Sequence, residues 1–236
     1  QAYILGQFPA SSLNALLSME EVEKAMSRNP KPDDYEWSQK RLGIDVARFG
    51  GDRTVIFPRQ GLVAFRPEVM RHQRTTDIAA RAAQYISRWK GCEMQFVDDT
   101  GHWGHGVIDN LITAGYAPVG IQFHAPAIDP RYKNKRAEMW MEMADWVKRG
   151  GSLPPIPELV QELTSPTYTF NQGKLQLEDK DQIKARIGRS PDLADALALT
   201  FALPDQPAKT IEERFLERAE GPAMSVPADY NPIGDM

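Results

Sequence analysis

One stretch limits what this chain can fold into more than any other. It runs Gly43-Ile44-Asp45-Val46-Ala47-Arg48-Phe49-Gly50-Gly51-Asp52-Arg53-Thr54 and continues as Val55-Ile56-Phe57. An apolar strand carries a carboxylate in mid-run, turns at Gly-Gly, and returns as a second apolar strand. A carboxylate in a strand that the fold must bury is costly unless another group compensates it. Two further acids pose the same problem. Asp98 follows the apolar run Met94-Gln95-Phe96-Val97, and Asp195 sits in the apolar helix Leu193-Ala194-Asp195-Ala196-Leu197-Ala198-Leu199. Three carboxylates on separate elements suit a hard cation such as Mg²⁺ or Mn²⁺. Two such ions about 4 Å apart would activate a water and stabilise the leaving oxygen of a phosphodiester.

The remaining pattern is mixed α/β. Arg41–Val46 and Thr54–Pro58 read as a hairpin, and Gly61–Val69 as a third strand. Thr75–Gly91 has apolar residues at helical spacing. Short strands at Glu93–Val97 and Pro118–Phe123 flank a Gly-rich loop and a helix ending near Ala114. Three antiparallel strands, then strands alternating with helices, predict a mixed central sheet with helices on both faces. Beyond it lie the helices Asn134–Arg149 and Pro157–Leu163. Tyr168–Phe170 and Lys174–Leu177 form a hairpin around Asn171-Gln172-Gly173, a turn sequence between alternating runs. A short basic helix spans Asp181–Ile187, and Ser190-Pro191 opens the last helix.

Residues 1–40 read as a linker, with a short helix after Ser18 and the breaker-rich Asn29-Pro30-Lys31-Pro32. The domain proper is expected over 41–204. Residues 205–236 are Pro-rich and aperiodic, and read as a flexible or docking tail. The tail holds seven acids and three bases, so it carries the whole net charge of −4. That balance argues mildly against a dedicated nucleic-acid binder, which is usually basic. One cysteine, Cys92, allows no intrachain disulfide. No apolar run reaches the roughly 18 residues of a membrane span. No Gly-x4-Gly-Lys-Ser/Thr sequence is present, which excludes P-loop ATP chemistry for this chain. An actin-like phosphate loop is disfavoured too, because Val46-Ala47 stands where a close glycine would be needed.

Other candidates surround the three acids. Asp192 precedes Asp195 by three residues and shares its helical face, although an acid in a first turn is also explained by the helix dipole. Asp52 sits beside the turn and could be an accessory ligand. Asp99 doubles Asp98, and alternation does not settle which of the two faces the site. His102 and His105 follow Asp98 with a spacing that a metal could use, and read mainly as loop structure or substrate contacts. Lys133, Lys135 and Arg136, then Lys180, Lys184 and Arg186, form two basic patches suited to phosphate contact. Asp195 has no lysine or arginine at helical spacing. It is therefore expected to depend on Asp45, Asp98 and a cation, and Asp195→Asn should leave the metal-free protein no less stable.

These motifs together resemble the C-terminal nuclease domain of the large terminase subunit of tailed bacteriophages. The resemblance rests on Gly43–Thr54, Val97-Asp98-Asp99-Thr100-Gly101, Asn134-Lys135-Arg136-Ala137-Glu138 and Ser190-Pro191-Asp192-Leu193-Ala194-Asp195-Ala196-Leu197. It implies a ribonuclease H-like fold and metal-dependent cleavage of double-stranded DNA during genome packaging in the host cytoplasm. Asp45, Asp98 and Asp195 match the family's metal-binding acids, with Asp98 chosen over Asp99, and Asp192 matches a further ligand position. Residues 1–40 would link to an ATPase motor, and Tyr168–Leu177 would be a hairpin beside the active site. The implied partners are double-stranded DNA, the portal protein, the small terminase subunit and the ATPase domain. A non-catalytic DNA-gripping and portal-docking module is the alternative.

Overall fold

The computed structural model describes residues 14–47, 53–210 and 213. Asp52 and the Phe49-Gly50-Gly51 turn lie outside the described residues, as does most of the predicted tail.

The central sheet is mixed, as the pattern predicts. Strand β1 (Lys40–Asp45) pairs antiparallel with β2 (Thr54–Gln60), placing Asp45 opposite Val55. The far edge of β2 is shared by two short strands, β3 (Val63–Ala64) and β4 (Glu68–Met70). The expected third strand is thus broken. Pro67 lies in the break, and proline has no N–H to give a ladder. On its other side β1 pairs parallel with β5 (Met94–Asp98), and β5 pairs parallel with β6 (Val119–Ile121).

Helices cover both faces. α2 (Thr75–Arg88) and α3 (His105–Thr113) lie on one, over Leu42, Ile44, Ile56 and Val97. The other face carries the larger core. There α4 (Lys135–Lys148), α5 (Pro157–Thr164) and α7 (Asp192–Leu199) pack with Val55, Phe57 and Phe96. The strand period of two assigns side chains to these faces. Leu42 and Ile44 go to the α2 side, while Gly43 and Asp45 go to the α7 side.

Gly43 sets the distance between sheet and helix. A Cβ on it would lie 1.9 Å from the Ala196 carbonyl oxygen. Only glycine lets the α7 backbone lie directly on β1, and this approach brings Asp195 beside Asp45.

Helix α1 (Met19–Ser27) lies in the expected linker and packs on the domain. Ser18 Oγ accepts from the Glu21 N–H at 3.2 Å and the Glu21 carboxylate accepts from the Ser18 N–H at 2.8 Å, a reciprocal cap. Leu16, Leu17, Val22 and Ala25 are buried in the larger core. The other terminus also begins docked. Asp205 pairs with Arg41 and Arg59, which are 1% and 0% exposed, and Gln39 N–H donates to the Gln206 carbonyl. The predicted hairpin forms as β7 (Tyr168–Asn171) and β8 (Lys174–Leu177). The basic helix α6 (Lys180–Ile187) follows it and ends at Gly188 in the left-handed region.

Candidate active site

Four carboxylates meet where β1 and β5 end and α7 begins. Asp45 ends β1, Asp98 ends β5, and Asp192 and Asp195 share the first turn of α7. Asp45, Asp98 and Asp192 line an open cleft of about 450 Å³ with Arg53, His124, Arg136, Lys180 and Lys184. Asp45 and Asp192 are each 3% exposed and Asp195 is fully buried. This is the carboxyl end of the parallel pair, where open α/β sheets place their sites.

The structure separates the adjacent acids at the end of β5. Asp98 shares the face of Phe96, toward α7, and one of its carboxylate oxygens accepts from the Thr100 N–H at 2.9 Å. Asp99 turns to the α3 side, where Oδ1 lies 2.6 Å from His105 Nδ1 and Oδ2 accepts from Gln122 at 3.2 Å. His102 and His105 lie with Asp99, not with the four carboxylates.

Each remaining acid is held by a neighbour from another element. Asp195 Oδ1 accepts from Trp140 Nε1 at 2.9 Å and pairs with Arg136 at 3.2 Å, both from α4. Asp195 thus has the partner its own helix lacked. Asp192 accepts from the Arg53 N–H at 3.2 Å. The Arg53 guanidinium pairs with Glu162 on α5 at 3.0 Å, and Glu162 accepts from the Ala194 N–H at 3.0 Å, capping the first turn of α7. Lys180, at the start of α6, points its ammonium into the group. Its Nζ lies 3.0 Å from Asp195, 3.7 Å from Asp45 and 3.9 Å from Asp192.

These surroundings pull the carboxyl groups apart electrostatically. Burial pushes the Asp45 pKa well above the ordinary aspartate value. Lys180 opposes that rise, and Asp98, Asp195 and Asp192 add to it. Burial also raises Asp98 and Asp192. Burial acts on Asp195 in the same direction, but Arg136 and then Lys180 outweigh it and hold its pKa below the ordinary value. Burial lifts Glu162 to about 7. The Lys180 pKa is raised: burial works against its charge, but Asp45, Asp195 and Asp192 prevail.

The donor set fits a hard divalent cation. All four acids offer oxygen. Asp195 Oδ2 is buried with no properly directed hydrogen bond, although the Lys180 ammonium stands near it. The clustered negative charge is also costly without positive charge among it.

The basic patches fare differently from expectation. Lys135 is buried and paired with Glu138 at 2.7 Å, because α4 presents it inward. Arg136 is committed to Asp195 and the Glu178 carbonyl. Lys180 belongs to the carboxylate group, and Arg186 pairs with Glu178. Lys133 and Lys184 are exposed, and Lys184 lies on the cleft wall. Sequence reading missed Trp140 and Glu162 as supports. A polar-capable residue buried beside an aspartate from another element has no local signature. The adjacent Arg136 in an otherwise apolar helix face was the available hint.

No protein-family model matches the chain, and no curated protein gives a significant match. Solved structures do match. The nuclease domain of the large terminase subunit gp2 of bacterial virus Sf6, solved with manganese and beta-thujaplicinol, aligns at a TM-score of 0.65 and 22% identity, over 80% of this chain and 99% of that one. The chain has the fold of phage large-terminase nucleases. The large terminase nuclease of thermophilic phage G20c aligns at a TM-score of 0.55 and 15% identity, over 80% of this chain and 98% of its own. A magnesium-bound structure of the G20c nuclease aligns at 0.54. The terminase-nuclease fold is ribonuclease H-like, and its mixed sheet is the one assembled above.

Proposed function

We propose that the chain is a divalent-metal-dependent endonuclease that cleaves double-stranded DNA during viral genome packaging. The meeting of Asp45, Asp98 and Asp192 at one cleft, with the buried Asp195 sharing Lys180 with Asp45 and Asp192, supports this reading most directly. Asp45, Asp98 and Asp195 would hold the cation, with Asp192 as a further ligand for a second ion. Mg²⁺ or Mn²⁺ bound there would supply Lewis-acid charge to the scissile phosphate and favour ionisation of the attacking water.

The protein's own groups supply position and charge balance. Trp140 and Arg136 fix one oxygen of Asp195 and leave the other beside the Lys180 ammonium. Thr100 orients Asp98, and the Arg53 backbone orients Asp192. Lys184 and Lys133 offer charge to the DNA backbone, contacts that hold register without reading sequence. The β7–β8 hairpin stands beside the cleft through Gln176 and Leu177. In this reading residues 1–40 connect to an ATPase motor, residues 41–204 are the nuclease and residues 205–236 its tail. The partners are the portal and small terminase subunit, in the host cytoplasm.

Lys180 favours a second reading. An ammonium among carboxylates can neutralise them permanently, and the chain would then grip DNA without cutting it. Plasmid nicking separates the two. The folded chain should nick supercoiled plasmid with Mg²⁺ or Mn²⁺ and stop on chelation. No nicking by folded protein across metal and salt concentrations would leave the gripping module.

A further inference from the structure

On the α3 side of the sheet, behind the carboxylate group, three side chains converge without a part in the proposed reaction. Asp99, His102 and His105 each bring a ligand-capable atom within 4.8 Å of the other two. We infer that these three residues form a separate binding site for a borderline transition-metal ion of the Zn²⁺ class. The inference does not depend on the nuclease reading, because none of the four cleft carboxylates takes part.

The donor chemistry differs between the two sites. The cleft offers oxygen alone, which suits Mg²⁺ and Mn²⁺, whereas two imidazoles and one carboxylate suit Zn²⁺. Three protein ligands leave the fourth tetrahedral position to water, as in open zinc sites.

The surroundings fix Asp99 as a metal site requires. Gln122 donates to the Asp99 carbonyl at 2.6 Å and to Asp99 Oδ2 at 3.2 Å, leaving Oδ1 directed at His105. An outer partner of this kind orients a ligating carboxylate. Asp99 is 6% exposed, so its carboxylate is a fixed base, and His102 and His105 are both exposed beside it. The His102 and His105 rings stand edge to face with centroids 4.7 Å apart. His105 opens α3, and its exposed ring can turn. Bonds of 2.0–2.1 Å place tetrahedral donors about 3.4 Å apart. Loading therefore needs the 2.6 Å Asp99–His105 contact to lengthen and His102 to close in.

The spacing is Asp-x2-His-x2-His counted from Asp99. Counted from Asp98, as the linear pattern first suggests, the ligands would straddle the sheet.

The test uses Co²⁺ and Zn²⁺ on the full chain. Low-coordinate Co²⁺ with histidine nitrogens absorbs strongly in the visible, and six-coordinate Co²⁺ with oxygen ligands absorbs weakly. The parent and Asp45→Asn should both develop the strong band, and Zn²⁺ should remove it. His105→Ala should weaken Zn²⁺ binding by about 100-fold or more, exceeding the usual loss of an outer partner. His102 has φ +66°, so His102→Asn is the paired variant, since asparagine tolerates that region. Melting with Zn²⁺ gives a second readout, and its rise should vanish in both histidine variants. His72 lies outside the cluster and also has positive φ, +53°, so His72→Asn is the control and should leave Zn²⁺ binding unchanged. Three outcomes would overturn the site: loss of the band in Asp45→Asn, its persistence in the histidine variants, or equal weakening by His72→Asn.

Discussion

Lys180 Nζ lies 3.0 Å from Asp195 Oδ2 and 3.7 Å from Asp45 Oδ2. A single positive charge from α6 thus stands among carboxylates from β1 and α7, in the space a cation would share. Lys180→Ala should tighten Mn²⁺ binding about tenfold, or ~1.4 kcal/mol, while lowering the stability of the metal-free protein. Calorimetric titration and melting with and without Mn²⁺ measure both. Unchanged affinity would show that the ammonium does not compete.

Asp195 and Asp45 should respond oppositely to neutralisation. The folded pKa of Asp195 is depressed, so its charge stabilises the fold above the unfolded value near 3.9, and that contribution fades as pH falls through the folded value. Asp195→Asn strands Arg136 and should cost about 3 kcal/mol at pH 7. This reverses the expectation from sequence, which had no partner for Asp195. The folded pKa of Asp45 is raised, so its ionisation costs stability as pH climbs from about 3.9 through the folded value. Asp45→Asn should therefore stabilise the metal-free protein at pH 8 and lose that advantage near pH 4. Both variants should lose nicking and the Mn²⁺-induced rise in melting temperature, whereas Asp192→Asn should lose less. Melting curves at pH 4, 7 and 8 decide the signs.

Gly43→Ala should disable the site without touching an acid. Its Cβ would meet the Ala196 carbonyl at 1.9 Å, against backbone that cannot swing aside. Overpacking of this kind costs about 1–3 kcal/mol or more, roughly 2–4 °C of melting temperature per kcal/mol in a chain this size. Nicking should fall together with Mn²⁺ affinity, because α7 carries Asp192 and Asp195. A variant with parental melting and activity would show that α7 does not need this approach.

Lys133 and Lys135 are two residues apart and should behave differently. Lys133 is exposed, so Lys133→Ala should weaken DNA binding and reduce its salt slope by about 1. Lys135 is buried against Glu138, whose carboxylate also accepts from the Asp129 N–H at 2.8 Å. Lys135→Ala should lower melting temperature and leave the salt slope unchanged. Fluorescence anisotropy over a salt series, beside melting, distinguishes the two roles.

The sequence by itself determined the acids and the elements that carry them. Asp45, Asp98 and Asp195 stood out because local hydrophobic pattern marks a strand or helix interior, and a carboxylate there conflicts with that pattern. Alternation, turn residues and Ser190-Pro191 were likewise local, so the hairpin and the start of α7 could be read within a residue or two. Four matters were decided by the tertiary structure. Asp98 was distinguished from Asp99 by which helix covers each face of β5, a property of packing across the sheet. Asp195 received its partners from α4, 55 and 59 residues away in sequence, and Lys180 was drawn from a supposed DNA patch into the carboxylate group. Gly43 looked like a weakness in a strand until α7 was laid against it. Charge compensation and close backbone approach act through space between distant segments, and hydrophobic periodicity along one segment carries no record of them.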